Sequence, residues 1–321
     1  MKQKLFFCVT TLLMAFTGTA QVRKDSISAV PVSLSPAIRN MDTRELFSRK
    51  GKFFFFWGYN RAAYSNSDIH FKGDGYNFTI TNITAKQEPV GHDFLTYIKP
   101  NTFTIPQFNT RIGYYINDKT FISFGTDHMK YSIDKQITRL TGTITKDNNN
   151  GKNIGTYNNT EVVVGENSEN QTHEPSVTDS LKRGFVSEFE HCDGLNDVSV
   201  ELGRIEQLWI SNNRKHALAV TGTVNSGMLV PDTDADVLGY DPRHDMTTGK
   251  KAYHIAGYSF SASMGLEFDF YKNFFLLARL KAGYINLPDA YTTVEGGRAS
   301  QHFNFIEPML VVGYSRSFGK K

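Results

Sequence analysis

Several segments of the chain alternate strictly between apolar and polar residues. The clearest runs from Gly257 to Phe270, where Tyr258 begins an apolar set at every second position and the positions between hold Gly, Ser, Glu or Asp. A period of two places successive side chains on opposite faces of a β-strand. Because the alternation is longer than the usual strand of a soluble protein, it predicts a long strand with one apolar and one polar face.

Other segments repeat this pattern, so that the chain contains eight of them in all. The further segments are 53–60, 106–116, 122–131, 198–209, 217–228, 274–284 and 307–318. In one of them the phase changes, since Ile205 and Trp209 fall on the apolar side, and this predicts a β-bulge near Gly203 and Arg204. The sequence therefore predicts an all-β fold with eight antiparallel strands.

The connections between these segments alternate between short and long. Short turns are predicted at 117–119, 211–214 and 271–273, and long loops at about 65–103, 134–194, 231–253 and 289–303. Outer-membrane barrels have short periplasmic turns and long extracellular loops, whereas a soluble sandwich does not sort its loops by length. The pattern favours an up-and-down transmembrane β-barrel, with a lipid-facing apolar side and a polar interior.

The N-terminus has the three parts of a secretory signal peptide. Lys2 and Lys4 precede an apolar stretch from Leu5 to Phe16, and small residues follow up to Ala20. We expect cleavage after Ala20, which makes 1–20 the signal peptide. Residues 21–51 are then expected to form a periplasmic arm, and 52–319 the barrel. This organisation predicts export to the outer membrane of a Gram-negative cell.

Composition supports this class of protein and excludes others. The chain has 25 Phe and 15 Tyr against 10 Pro, which suits strands and membrane interfaces. Beyond the signal peptide, no apolar run is long enough for a transmembrane helix. The formal net charge is only +3, and it decreases when the two signal-peptide lysines are removed. A nucleic-acid partner is therefore not expected. Cys192 is then the remaining cysteine, which rules out an intramolecular disulfide in the mature chain.

On these features the chain resembles the small eight-stranded OmpA/OmpX-type outer-membrane barrels, over about 52–319. The resemblance rests on architecture. It implies contact with outer-membrane lipid and lipopolysaccharide, and recognition of the last strand by the barrel assembly machinery. Tyr314 and Phe318 match the aromatic residues that such last strands carry, although Lys320 and Lys321 follow them.

The polar face of the predicted strands carries charges of both signs. The predicted interior set is Arg111, Asp127, Glu201, Arg204, Glu206, Glu267, Asp269, Arg279, Lys281 and Glu307. Charges inside an eight-stranded barrel have to pair, because leaving them unpaired costs desolvation energy. The sequence therefore favours a structural ion-pair network that plugs the barrel; a small gated pore is the alternative.

Histidines recur near the ends of the strands that precede or follow long loops. His128, His191, His254 and His302, with Asp127 as a carboxylate, form a candidate metal-binding set. The alternative is that they are ordinary interface and loop residues, since spacing alone fixes no coordination geometry. No cofactor is predicted.

A weaker catalytic candidate lies at Glu190, His191 and Asp193. The stretch is similar to the His-X-Ser pair of outer-membrane lipid A deacylases, but Asp193 stands where those enzymes have their nucleophilic serine. The sequence thus favours a non-enzymatic barrel whose loops serve structural, adhesion or surface-binding roles. A lipid A deacylase-like hydrolase is the alternative. The extracellular ligand is not identified by the sequence.

Overall fold

The computed structural model describes residues 48–87, 94–165, 184–213, 215–240, 253–271, 273–293 and 295–318, without the side chains of residues 94, 192 and 193. The described residues belong to one compact unit, Phe47–Lys321. The predicted signal peptide and residues 21–47 of the predicted arm lie outside them. None of the described helices has the length and apolar character needed to cross a membrane.

Antiparallel strands make up most of the described chain, which confirms the predicted all-β class. In chain order they are β1 (Lys52–Asn60), β2 (Ala63–Tyr64), β3 (Ser67–Gly73), β4 (Tyr76–Ile83), β5 (Ala85–Lys86), β6 (Phe108–Tyr115), β7 (Thr120–Ile133), β8 (Gln136–Ile144), β9 (Gly155–Val164), β10 (Val186–Ile210), β11 (Ala217–Pro231), β12 (Asp234–Val237), β13 (Gly257–Tyr271), β14 (Phe274–Tyr291) and β15 (Arg298–Ser317). A 3₁₀ helix, Phe94–Tyr97, lies between β5 and β6.

The barrel wall is a closed ring in the order β1, β6, β7, β10, β11, β13, β14, β15. β15 pairs with β1 from Ser317 opposite Lys52 to Met309 opposite Asn60, and this pairing closes the ring. The connections β6–β7, β10–β11 and β13–β14 are short and lie at one end of the ring, which we call the turn end. Closure leaves the ring without a free sheet edge.

At the opposite end the wall continues into an extended sheet. β3 pairs with the first part of β15, and β4, β8 and β9 follow in that order. The added strands lie within the predicted loops 65–103 and 134–194, and β10, β14 and β15 also reach further into predicted loops than expected. The predicted loop boundaries are therefore too wide, because these regions keep a strand pattern whose apolar face is turned inward.

The exposed face changes character along β15. From Ile306 to Tyr314 the outward residues are mainly apolar, whereas from Arg298 to Asn304 they are polar or charged. The buried face is mixed along the whole strand, with Gln301 and Phe303 beside the polar stretch and Glu307 and Val311 beside the apolar one. The change of character along β15 is therefore confined to its outward face.

β10 corrects one detail of the predicted pattern. Its alternation continues through Glu201 and Gly203 to Ile205, which is buried, and the register shift lies between Gln207 and Trp209. Arg204 consequently points outward, where it pairs with Glu206 at 2.6 Å. The predicted bulge at Gly203-Arg204 and the interior position of Arg204 and Glu206 were wrong, because the outward Trp209 results from the later shift.

Candidate functional site

Inside the ring, buried charges form a connected group nearest the extended sheet. Asp127 accepts hydrogen bonds from Arg111, at 2.7 Å, and from Lys281. Lys281 also reaches Asp197 at 3.1 Å, and Ser259 donates to the other oxygen of Asp197 at 2.7 Å. All these groups are almost completely buried, so each charge is held by opposite charges or hydrogen bonds, most of them from strands across the ring.

A second buried ion pair joins Arg279 to Glu201 at 2.8 Å. Towards the turn end, a cluster of buried apolar and aromatic side chains lies in the interior, among them Phe54, Phe56 and Phe275. Arg279 lies over the ring of Phe56, 5.6 Å from its centroid. The described interior is thus filled with side chains, as the narrow bore of an eight-stranded ring requires.

Arg49 completes this filling from outside the strands. It precedes β1, yet its side chain is buried and contacts Glu267 at 2.7 Å and Asp269 at 2.9 Å. It also approaches the hydroxyl of Tyr115 at 3.4 Å. The sequence prediction placed Arg49 in the periplasmic arm, where no alternation marks a residue as inward. The sequence signal for a basic partner was the presence of two inward acidic residues, Glu267 and Asp269, near the end of β13.

The four predicted histidines occupy different surroundings. The His128 Nδ1 lies 2.8 Å from the Asn196 side-chain oxygen, and His191 is completely buried. His254 stacks on Tyr291, whereas His302 is exposed on the outer face of β15. Asp127 lies in the interior charge group. The structure therefore brings the predicted metal-binding set to separate places.

A different acidic group lies on the first part of β10, the part farthest from the turn end. Carboxylate oxygens of Glu188, Glu190 and Asp234 lie within 4.8 Å of one another, the single such group in the described part of the chain. Glu190 is opposite Asp234 in the pairing of β10 with β12. The side chain of Asp193, the other predicted catalytic acid, is outside the described residues. Exposed carboxylates often cluster without a metal, so the group defines no site by itself.

His191 belongs to a buried polar cluster beneath the extended sheet. The Gln301 amide nitrogen lies 3.4 Å from His191 Nε2, which therefore accepts, and His191 Nδ1 donates to the hydroxyl of Thr233 at 2.9 Å. The Tyr131 hydroxyl donates to the Gln301 oxygen at 2.9 Å. Burial and, to a smaller extent, the nearby His254 lower the pKa of His191 to about 3. The neutral, buried imidazole thus joins β10 to β15 through Gln301 and to the segment between β11 and β12 through Thr233.

The pKa of His191 predicts acid sensitivity. The unfolded chain binds a proton below a pKa of about 6.5, whereas the folded imidazole stays neutral down to about 3. Protonation therefore favours unfolding across that window, by roughly 1.4 kcal/mol for each pH unit, and has no effect above it. Unfolding measured from pH 7 down to about pH 3 should show a shallower loss of stability in His191→Asn than in the wild type. Equal slopes would contradict the assignment.

A groove opens on the outer face of the extended sheet, where β3, β14 and β15 meet. Its volume is about 420 Å³, and its lining includes His70, Lys72, Asp289, Arg298 and Ser300. In the pairing of β3 with β15, Lys72 stands opposite Arg298 and His70 opposite Ser300. Like charges in directly opposite positions disfavour each other. The pairing of β3 with β15 therefore does not itself explain why two cations lie side by side in the groove.

The neighbours of these cations fix the orientation of Arg298. Its Nε donates to Asp289 at 2.9 Å, and its guanidinium lies 3.9 Å from the centroid of the Tyr291 ring. The His254 ring stacks on Tyr291 at 3.5 Å. Within the described chain, Arg298 Nη1 has no hydrogen-bond partner and Lys72 forms no ion pair. An aromatic residue and two cations thus lie together in the groove, beside the carboxylates of Asp74 and Asp289.

The chain's similarity to known proteins is structural. No family model and no curated protein matches the chain. Among solved structures it is similar to Ail, the attachment invasion locus protein of Yersinia pestis, in complex with the heparin analogue sucrose octasulfate (12% identity, 83% of this chain, 99% of that chain, TM-score 0.28). It is also similar to Neisserial surface protein A (10% identity, 83% and 97% covered, TM-score 0.28).

A third similar structure is the outer membrane protein OprG from Pseudomonas aeruginosa, with 10% identity, coverage of 84% of this chain and 98% of that chain, and a TM-score of 0.36. At such identities and TM-scores, any function has to be argued from the chain's own residues. In class, the similar structures are outer-membrane β-barrel proteins, the class that the alternation along the chain predicted.

Proposed function

We propose that the protein is an outer-membrane barrel that binds a ligand at the cell surface. The ring of eight strands crosses the membrane, the turn end faces the periplasm, and the extended sheet lies outside the cell. The observation that carries this proposal is the reversal along β15, where the outward face is mainly apolar from Ile306 to Tyr314 and polar from Arg298 to Asn304. Such a reversal fits a lipid boundary between Asn304 and Ile306.

The exposed apolar side chains support a band of bilayer height. On other ring strands the outward positions include Phe124, Leu202, Val224, Phe260 and Leu280, each half exposed. In water this continuous surface would cost free energy, and an outer-membrane barrel presents an apolar band about 25 Å tall. Several of the exposed residues of this face are aromatic, and aromatic residues suit the membrane interface.

The filled interior favours binding over conduction. Ion pairs such as Arg111–Asp127 and Arg279–Glu201 occupy the bore, and buried aromatic rings follow towards the turn end. The extended sheet, by contrast, has a large apolar core of its own around Phe71, Phe189 and Phe303. A rigid sheet of this kind is suited to holding a binding surface in place.

The groove suits an acidic polysaccharide. Arg298 and Lys72 offer donors for carboxylate or sulfate groups, and the Tyr291 ring lies beside them. Asn77 stands opposite Lys72, and Thr79 opposite His70, on the neighbouring strand β4. Amide and hydroxyl groups along the sheet can exchange hydrogen bonds with sugar hydroxyls. The combination favours a ligand that is both anionic and rich in hydroxyl groups.

Binding of polysaccharides to the purified protein tests this proposal. We expect dextran sulfate or polygalacturonate to bind and neutral dextran not to bind, with affinity falling as salt increases. Replacing both Lys72 and Arg298 by Ala should lower the affinity about tenfold or more, since hydrogen bonds to charged groups are lost. Arg139→Ala is the matched control, because Arg139 is exposed on β8 and pairs with Glu161 away from the groove. Equal losses in both variants would contradict the site.

A further inference from the structure

A compact apolar segment, residues 94–106, lies between β5 and β6 outside the barrel wall. It begins with the 3₁₀ helix and is held by its own hydrogen bonds, with the Lys99 amide donating to the Leu95 carbonyl and the Phe103 amide to the Lys99 carbonyl, each at 3.0 Å. The Thr102 hydroxyl donates to the Thr96 carbonyl at 3.0 Å. These bonds satisfy several backbone groups within the segment, which is a requirement for contact with lipid.

Aromatic residues fix this segment to the outer side of β1. The Tyr59 hydroxyl donates to the carbonyl of Tyr97 and lies 3.2 Å from the carbonyl oxygen of Phe103. The rings of Tyr59 and Tyr97 are 4.9 Å apart, and those of Trp57 and Phe103 are 5.2 Å apart. Tyr59 stands opposite Leu310, a residue of the apolar band. The segment is therefore continuous with the surface assigned to lipid.

The outward side of the segment is apolar. Leu95, Ile98 and Ile105 are 46%, 57% and 46% exposed, and together with the aromatic residues they enlarge the apolar band beside β1. Exposed apolar groups of this size gather at membrane or protein interfaces. Aromatic residues concentrate at the level of lipid headgroups.

Two cations accompany this apolar side. Arg61 donates to the Tyr97 hydroxyl at 2.7 Å, and Lys99 is exposed on the segment itself. Within the described residues neither forms an ion pair with a carboxylate, unlike the buried cations of the interior. Cations beside an apolar surface at an interface complement anionic lipid headgroups.

We infer that residues 94–106 form an interfacial anchor, which inserts Leu95, Ile98 and Ile105 among acyl chains and places Arg61 and Lys99 against the phosphate of an outer-leaflet lipid. The inference rests on the proposed membrane orientation of the barrel. It adds a lipid-binding site that is separate from the groove of the extended sheet. A second copy of the chain on this surface is the competing occupant.

Spin labelling tests the insertion. In a Cys192→Ser background refolded into vesicles, Ile98→Cys carries the label, Val224→Cys gives a reference on the apolar band, and Thr143→Cys one on the extended sheet. We expect the Ile98 label to match Val224 in its accessibility to oxygen and its protection from a polar nickel chelate. Water-like accessibility at Ile98 with lipid-like accessibility at Val224 would overturn the anchor alone. Water-like accessibility at both would overturn the membrane barrel.

The phosphate contact has its own readout. Diphosphoryl lipid A, its dephosphorylated form and inorganic phosphate serve as separate probes of the protein in detergent micelles. We expect binding of the diphosphorylated lipid only, weakened roughly fivefold by Arg61→Ala and again by Lys99→Ala, since each basic side chain adds about that factor at an anionic surface. Arg61→Lys should keep most of the affinity.

The other outcomes overturn the phosphate site. Equal binding of the dephosphorylated lipid would show that the cations do not select it, and binding of inorganic phosphate alone would assign the site to a free anion. Label–label coupling between Ile98 positions in diluted protein would assign the surface to a second copy. Heat-modifiable migration on gels confirms that each variant is folded before it is compared.

Discussion

Replacing Asp127 by Ala is expected to lower the free energy of unfolding by about 3–5 kcal/mol, because it leaves buried cations without their partner. Asp127 accepts from Arg111 and from Lys281, and all three side chains are almost inaccessible to solvent. Lys281 keeps Asp197 at 3.1 Å, but among the described residues Arg111 keeps no carboxylate within salt-bridge distance. Unfolding by urea of the protein in lipid vesicles measures the loss.

The matched control is Arg204→Ala. Arg204 also forms an ion pair, with Glu206, yet it is exposed on the outer face of the barrel. An exposed pair contributes no more than about 1 kcal/mol. Similar losses in the two variants would show that the buried group does not hold the barrel together, and that its charges are paired by water instead.

The barrel was predictable because lipid and a polar interior impose opposite demands on alternate residues. In β13 no position breaks this rule, and the strand Gly257–Tyr271 has nearly the predicted limits. The strands of the extended sheet were harder to predict. In Arg298–Phe303 the alternation is still present, but its outward residues are polar. Because the prediction relied on an apolar outward face, this segment was assigned to a loop.

The interior was predictable residue by residue only where the phase was certain. Glu267, Asp269, Arg279 and Lys281 are buried, and they belong to strands without irregularities over those positions. Arg204 was misplaced because Ile205 and Trp209 suggested an earlier change of phase in β10, whereas Ile205 is buried and the register shift comes after Gln207. Arg49 has no strand pattern around it, so only the three-dimensional structure shows that it enters the barrel.

The groove could not be predicted from the sequence. Lys72 and Arg298 are far apart in the chain, and they become neighbours because β3 pairs with β15. The histidines drew attention through their positions near strand ends, but position along a strand does not decide which side of it a residue occupies. His191 points into an apolar core, and His302 points out of it.

The apolar band predicts a large effect of a charge at its middle. Leu310 is exposed near the centre of the apolar outward face of β15, and Asn304 is exposed on the same face just beyond its end. An arginine on the lipid side costs about 2–4 kcal/mol at the midplane of the bilayer and about 0–1 kcal/mol near the interface. The two positions lie on one strand, so they differ mainly in depth.

The comparison of Leu310→Arg with Asn304→Arg in lipid vesicles therefore tests the membrane barrel most directly. The free energy of unfolding should fall by about 2–4 kcal/mol in Leu310→Arg and by no more than about 1 kcal/mol in Asn304→Arg. A Leu310→Arg protein as stable as the wild type, or one that leaves the vesicles and remains folded in water, would contradict the lipid-facing band and with it the barrel's place in the membrane.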